Sequence, residues 1–186
     1  MLFRSLSVLA LVLAPVALRA ADDENPYKSV KVGDYVTYKL TSKLAGGTLT
    51  QTVTAKSDTE VTVKAEVSLE VGGMKVAVPA QEQKIDLTKP FDPTKVGNVA
   101  AAGAEVKAEK LKEGKEKLKI GDKEYDCTWT TYKTTAKVMN QAIEGDSKVW
   151  TAKGVPGGVV KMTSSSKFGG QTIEMEMELT ETGNKK

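Results

Sequence analysis

Three glutamates near the C-terminus, Glu174, Glu176 and Glu178, alternate with apolar residues in the stretch QTIEMEMELTETG. On a strand such side chains share one face about 7 Å apart, which is the order of separation between the carboxyl groups of glycoside hydrolases. The charged outer face of any sheet has the same spacing, and cross-strand lysines and water satisfy its carboxylates. We therefore interpret these residues as surface groups and rank a carboxylate-dependent hydrolase last among the possible functions.

The stretch SSSK places Ser164 and Lys167 at the S-x-x-K spacing of penicillin-recognising enzymes. That spacing serves catalysis on a helix, where residues i and i+3 share a face. Here the stretch follows an apolar strand-like run, and an odd spacing in a strand sends the side chains to opposite faces. No S-D-N or K-T-G sequence accompanies it, so we interpret it as structural.

The chain contains no histidine and one cysteine, Cys127. These counts exclude catalysis that needs an imidazole base, intrachain disulfides and the commonest zinc sites. The methionines Met139, Met162, Met175 and Met177 with Cys127 are soft ligands for copper(I), but thioethers are also ordinary fillers of cores. We predict core packing, a buried Cys127 thiol, no cofactor, no metal site and no enzymatic activity.

Residues 1–20 combine Arg4, an apolar run interrupted by Pro15 and a small residue at Ala20. This pattern predicts a secretory signal peptide cleaved after Ala20. No cysteine follows the run as a lipoprotein anchor, and no transmembrane segment is predicted in residues 21–186, which fit one secreted or periplasmic domain. Both arginines, Arg4 and Arg19, fall in the predicted leader, so the formal net charge of +3 drops by two and nucleic-acid binding is not expected.

Two-residue periodicity dominates the rest of the chain. EVTVKAEVSLEV and QTIEMEMELTETG alternate apolar and polar residues, and KEYDCTWTTYK does so around Trp129. Glycine pairs at Gly46-Gly47 and Gly72-Gly73 predict turns between short strands. We therefore expect an all-β domain with an antiparallel meander of about eight to ten strands, forming a curved sheet, half-barrel or sandwich, with at most one short helix. KPFDPTKVG reads as a long crossing between two strand groups, and residues 99–113 fit a short helix or a strand equally.

Val155, Pro156, Gly157 and Gly158 place proline second and glycine third in a four-residue turn. This is the combination that a type II turn requires, because glycine reaches positive φ at little cost. An apolar strand-like run follows the turn, so its amides do not form the phosphate-binding N-terminus of a helix. We predict a structural corner between two strands at Pro156, Gly157 and Gly158.

The segments CTW at 127–129 and VWTAKGVPGGVVKM at 149–162 resemble a loose group of uncharacterised secreted bacterial β-rich proteins similar to the LolA/LolB lipoprotein carriers. The resemblance covers residues 115–180. It implies an open, curved antiparallel sheet whose concave face accepts acyl chains.

Our leading functional hypothesis is a non-catalytic extracytoplasmic binding module for an apolar or amphipathic, lipid-like ligand. The alternative is a structural or interaction protein of the cell envelope with a filled core and no cavity. The residues predicted to line the apolar-ligand site are Val61, Val63, Val67, Leu69, Trp129, Trp150, Ile173, Met175 and Met177.

Overall fold

The computed structural model describes residues 25–43, 45–93, 106–138, 141–168 and 171–185. The predicted leader and its cleavage site at Ala20 lie outside these ranges, as do residues 99–105 and Met139. The described residues form nine strands and one 3₁₀ turn, Pro26–Ser29. The strands are β1 Asp34–Ser42, β2 Ala45–Lys56, β3 Glu60–Val71, β4 Met74–Asp86, β5 Val106–Ile120, β6 Lys123–Val138, β7 Gln141–Thr151, β8 Val159–Phe168 and β9 Gln171–Asn184.

All nine strands belong to one open, curved sheet in the order β4-β3-β2-β1-β9-β8-β7-β6-β5, and every neighbouring pair is antiparallel. The predicted all-β meander is confirmed. Four strands precede the segment around Phe91 and five follow it, and that segment connects the two edge strands of the sheet.

Two local expectations have a definite outcome. Gly46 and Gly47 were expected at a turn but lie inside β2, so that prediction is wrong. At Gly47 the missing side chain leaves room for Leu69 of β3, whose Cδ2 would lie 3.1 Å from an added Cβ. From Val106 onward, the ambiguous stretch is strand β5, because pairing with β6 outweighs its helical propensity.

The register assigns each side chain to one of two faces, because partners across strands share a face and successive residues alternate. We call the face that carries Tyr38, Leu49 and Met177 the Tyr38 face. The opposite one, which carries Trp129 and Trp150, is the Trp150 face. Val149 and Trp150 follow each other on β7, and both are buried. Both faces are therefore covered at this point, and the main core includes side chains from each.

The segment before β1 covers part of the Tyr38 face. Tyr27 packs edge-on against Phe91 with ring centroids 5.4 Å apart, above Val61 and Val63 of β3. The side chain of Asn25 accepts a hydrogen bond from the Tyr27 amide at 3.1 Å and donates to the carbonyls of Asp86, at the end of β4, and Lys89, just after it. Burial raises the pKa of the Tyr27 hydroxyl well above its usual value. The chain entering β1 is thus tied to the chain leaving β4.

The same segment packs on the loop between β7 and β8. The Gly158 amide donates to the Val155 carbonyl at 2.8 Å, and Gly157 has a φ of 73°, as in a type II turn. A Cβ on Gly157 would lie 2.6 Å from the hydroxyl oxygen of Tyr27. The turn is therefore a docking point for the N-terminal segment as well as a corner.

Replacement of Gly157 by alanine should destabilise the protein more than the same change at Gly154. Both residues have positive φ, so each substitution costs about 1 kcal/mol in the backbone. An alanine Cβ at Gly154 meets no atom within 4 Å, whereas at Gly157 it collides with Tyr27. The collision adds roughly 1–3 kcal/mol. Urea unfolding of Gly157→Ala and Gly154→Ala measures the difference, and equal losses would contradict the packed arrangement.

Candidate functional site

An open groove of about 780 Å³ runs across five strands near one end of the sheet. Its lining is made of short runs from β1, β9, β8, β7 and β6, and Leu111 of β5 also borders it. Most of these runs contain three consecutive residues. The first and the third residue of each run lie on the same face as Trp150. Lys148, for example, lies two residues before Trp150 on β7. The middle residues form a cross-strand row on the opposite, Tyr38 face, so the lining includes residues from both faces. This row is Ser42, Met175, Ser164, Ser147 and Tyr132.

Two cross-strand rows of the lining lie on the Trp150 face and are fixed by the register. We refer to these two rows as the floor. Threonines alternate with charged side chains in the first row, and the second is shorter and more acidic. The first row is Thr131, Lys148, Thr163, Glu176 and Thr41, and the second is Asp146, Ser165 and Glu174. Each row crosses from strand to strand through directly opposed residues. The floor thus presents hydroxyl groups, methyl groups and charges side by side.

Lys148 is held by a cluster next to the floor. Its Nζ lies 4.3 Å from the ring centroid of Trp150 and 4.6 Å from that of Trp129, which are cation–π distances. The same Nζ lies 3.4 Å from Oε1 of Glu116, and the Trp150 indole N–H donates to that oxygen. The bond from Trp150 and the nearby ammonium hold the pKa of Glu116 below its usual value, against the opposing effect of burial. Two indoles and a carboxylate thus fix one cation of the groove.

Glycine makes this cluster possible. Gly114 of β5 lies directly opposite Trp129 in the register. A Cβ at that position would lie 2.6 Å from Cζ2 of the indole, so any larger residue would displace the ring.

Two of the floor carboxylates, Glu176 and Glu174, are paired with lysines. Lys161 lies 3.0 Å from Glu176 and 3.0 Å from Glu178. Burial opposes the charge on Lys161, but its hydrogen bonds to both carboxylates raise its pKa above the usual value. Glu174 lies 3.5 Å from Lys43 in a largely exposed pair. The three regularly spaced glutamates of β9 are thus held in ion pairs across neighbouring strands.

The nine residues predicted to line a ligand site are not brought together in one cavity. Met175 borders the groove. Trp129 and Trp150 lie on the Trp150 face beside Lys148, and the other seven belong to the Tyr38 face. On that face Val61, Val63 and Met177 are buried, Val67, Leu69 and Met175 are half-buried, and Ile173 is exposed.

Of the soft-ligand residues, Cys127 lies apart from the methionines. Met162 and Met177 are opposed on the Tyr38 face and buried in the core, and Met175 shares that face, whereas Cys127 lies on the other face. Burial raises the pKa of the Cys127 thiol. Within the described ranges, no group of three or more histidine, cysteine or acidic residues is placed to hold a metal ion.

Ser164 and Lys167 of the S-x-x-K stretch lie on β8 and point to opposite faces. Ser164 pairs with Met175 on the Tyr38 face, and Lys167 pairs with Thr172 on the Trp150 face. The two side chains therefore do not converge.

Sequence reasoning missed the floor residues Thr41, Thr131, Lys148, Thr163 and Ser165. Each is an ordinary polar residue of an alternating strand. What joins them is the register, which includes irregularities between Thr37 and Tyr38 and between Trp150 and Thr151. The sequence shows which residues of each alternating strand are polar. It does not show which polar residues of neighbouring strands lie opposite one another.

Two solved structures are similar to this chain in fold. One is a candidate exported protein with a YmcC-like fold from Bacteroides fragilis NCTC 9343, with a TM-score of 0.51 and 11% identity over 83% of this chain and 97% of that chain. The other is a candidate lipoprotein from Parabacteroides distasonis ATCC 8503, with a TM-score of 0.51 and 13% identity over 82% of this chain and 96% of that chain. No family model and no curated protein matches the chain. The similarity to LolA/LolB carriers stays a prediction.

Within the described part of the chain, no helix is long and apolar enough to cross a membrane.

Replacement of Glu116 by glutamine should lower the melting temperature at pH 7, because Trp150 and Lys148 lose their shared carboxylate. The pKa of Glu116 is lowered in the folded state. Its contribution is therefore fully present above the usual glutamate pKa of about 4.3 and is lost as the pH falls through the lowered value. The gap between the wild type and Glu116→Gln should shrink on acidification.

Tryptophan-monitored melting curves at pH 7, 5 and 3 measure that gap. Glu109→Gln, an exposed change on the same strand, is the matched control and should show no such gap at any pH. A gap for Glu116→Gln that is as wide at pH 3 as at pH 7 would contradict the carboxylate's role.

Proposed function

We propose that the protein is a non-catalytic extracytoplasmic binding module that holds an amphipathic ligand in the groove. The observation that carries this proposal is the groove itself. Its volume of about 780 Å³ falls within the range of roughly 300–1,000 Å³ that is usual for small-molecule sites. The location is supported by the similarity in fold to a candidate exported protein and a candidate lipoprotein, and by the predicted signal peptide.

The mixed lining favours an amphipathic ligand over a purely apolar one. Leu111 and the threonine methyl groups provide apolar contact, and the aliphatic stems of Lys43 and Lys148 add to it. Hydroxyl groups and charges lie between these contacts. A purely apolar ligand would desolvate those polar groups without giving them partners, which is costly. A ligand with an acyl chain and a polar head group satisfies both parts.

The pairing of the charges favours binding over catalysis. A general acid or base must exchange a proton with the substrate. Glu176 is held by Lys161, and Glu116 is held by Lys148 and Trp150. Carboxylates anchored in this way suit a surface of fixed shape and charge.

Filling the groove should abolish binding. Ser165→Phe places a ring on the floor of the groove at β8 and should weaken the uptake of a fluorescently labelled fatty acid by at least about tenfold. Lys167→Phe introduces the same ring two residues along on the same face, at an exposed position outside the groove lining, and should leave uptake unchanged. Fluorescence titration of both variants, with unfolding curves to establish equal folding, measures the effect.

Native mass spectrometry of the protein purified from its own host, followed by lipid extraction, tests the proposal independently. A reproducible bound amphiphile supports it. A clean ligand-free mass together with no uptake of the labelled fatty acid would refute it and favour the structural role.

A further inference from the structure

Large hydrophobic side chains that remain exposed gather at one end of the sheet. This end contains the β1–β2, β3–β4 and β8–β9 connections. At the β3–β4 hairpin Val71 is 43% exposed, Met74 72% and Val76 46%, and Ile173 at the start of β9 is 37% exposed. Val32, 56% exposed, precedes β1 at the opposite end. We refer to Val71, Met74 and Val76 as the apolar tip.

The three side chains of the apolar tip share one face. Val71 is opposed to Met74 and Val76 is opposed to Leu69 in the β3–β4 register, which places them all on the Tyr38 face. Ile173 lies on the same face of β9. None of these residues lines the groove, so the tip is a separate surface. The turn at Gly72-Gly73, with φ values of 57° and 81°, closes the hairpin whose last paired residues carry the tip.

The size of this surface decides the kind of partner. Single exposed hydrophobic residues are common on soluble proteins, but three on one hairpin face are not scattered. Together with Ile173 they offer on the order of a few hundred Å² of apolar surface. A stable protein–protein interface buries roughly 800 Å² on each partner, so this surface is too small to hold a second copy or another protein by itself.

We propose that the apolar tip inserts into the surface of a lipid bilayer. A few apolar side chains flanked by lysines suffice for interfacial binding, since the side chains enter the acyl boundary and the ammonium groups stay among the head groups. Lys75 lies between Met74 and Val76 and points to the opposite face, where Glu70 is its register partner. Lys43, which is 77% exposed in its side chain and pairs with Glu174, lies at the same end of the sheet. Insertion is shallow, because the outer edge of β4 has unpaired backbone groups that need water.

Vesicle flotation tests this proposal. The purified protein should float with vesicles of phosphatidylethanolamine and phosphatidylglycerol. The double variant Met74→Ser with Val76→Ser should bind them at least about tenfold more weakly. Val32→Ser removes an equally exposed valine from the opposite end and should bind like the wild type.

A labelled cysteine gives a direct signal. Met74→Cys can be labelled with a polarity-sensitive dye because Cys127 is only 3% exposed. Its emission should shift to the blue on vesicles, whereas the dye at Val32→Cys should not respond.

Three results would overturn the proposal: no binding of the wild type to vesicles, equal loss in the double variant and in Val32→Ser, or no shift at Met74→Cys. Sedimentation that shows a dimer lost in the double variant, with vesicle binding unaffected, would assign the tip to a second copy instead. The fatty-acid titration needs no vesicles, and Ser165→Phe leaves the tip intact. Failure of the groove proposal is therefore distinguishable from failure of this one.

Discussion

The pairing of the first strand with the last strand holds the architecture together. Within the described residues, the meanders β1–β4 and β5–β9 are joined into one sheet by β1 and β9, which are hydrogen-bonded along their length. On the Tyr38 face of this strand pair, Tyr38 opposes Leu179 and Leu40 opposes Met177, so the main core spans both meanders. On the Trp150 face, Thr41 opposes Glu176, which completes the floor of the groove. A slip of one residue would exchange the two faces.

The two faces of the sheet have different roles. The Tyr38 face supplies most of the buried apolar surface, and the N-terminal segment and Phe91 cover part of it. Hydrophobic burial there is the main source of stability. Isolated exposed ion pairs such as Lys43 with Glu174 contribute little to folding. The contacts of Lys148 matter for geometry, because a lysine held between two indoles and a carboxylate has few alternative positions.

Alternation in the sequence was sufficient to predict the fold class. EVTVKAEVSLEV is β3 and QTIEMEMELTETG lies within β9, because six and four in-phase apolar residues fit a half-buried strand and no helix. β5 stayed ambiguous, since its alternating lysines and glutamates suit a helix surface as well as an edge strand. Gly46-Gly47 was misread because glycine in a strand also marks close approach of a neighbouring chain, here Leu69.

The site was harder to predict than the fold. Apolar residues such as Val61 and Met177 were expected to line a ligand site, but they are buried in the core. The floor rows of the groove belong to the polar half of the same alternation. The strands that carry them contain bulges that shift the register, and the hydrophobic pattern does not locate these bulges. The sandwiching of Lys148 requires Gly114 across the strand from Trp129, a pairing that only the three-dimensional register reveals.

The most direct test is an NMR titration of the ¹⁵N-labelled protein with a lysophospholipid below its critical micelle concentration. The account predicts saturable shifts for the amides of the floor strands around Lys148, Thr163 and Ser165, with the core strand around Val61 and Val63 unaffected. Shifts centred on Val61 and Val63, or no shifts at any concentration, would contradict it.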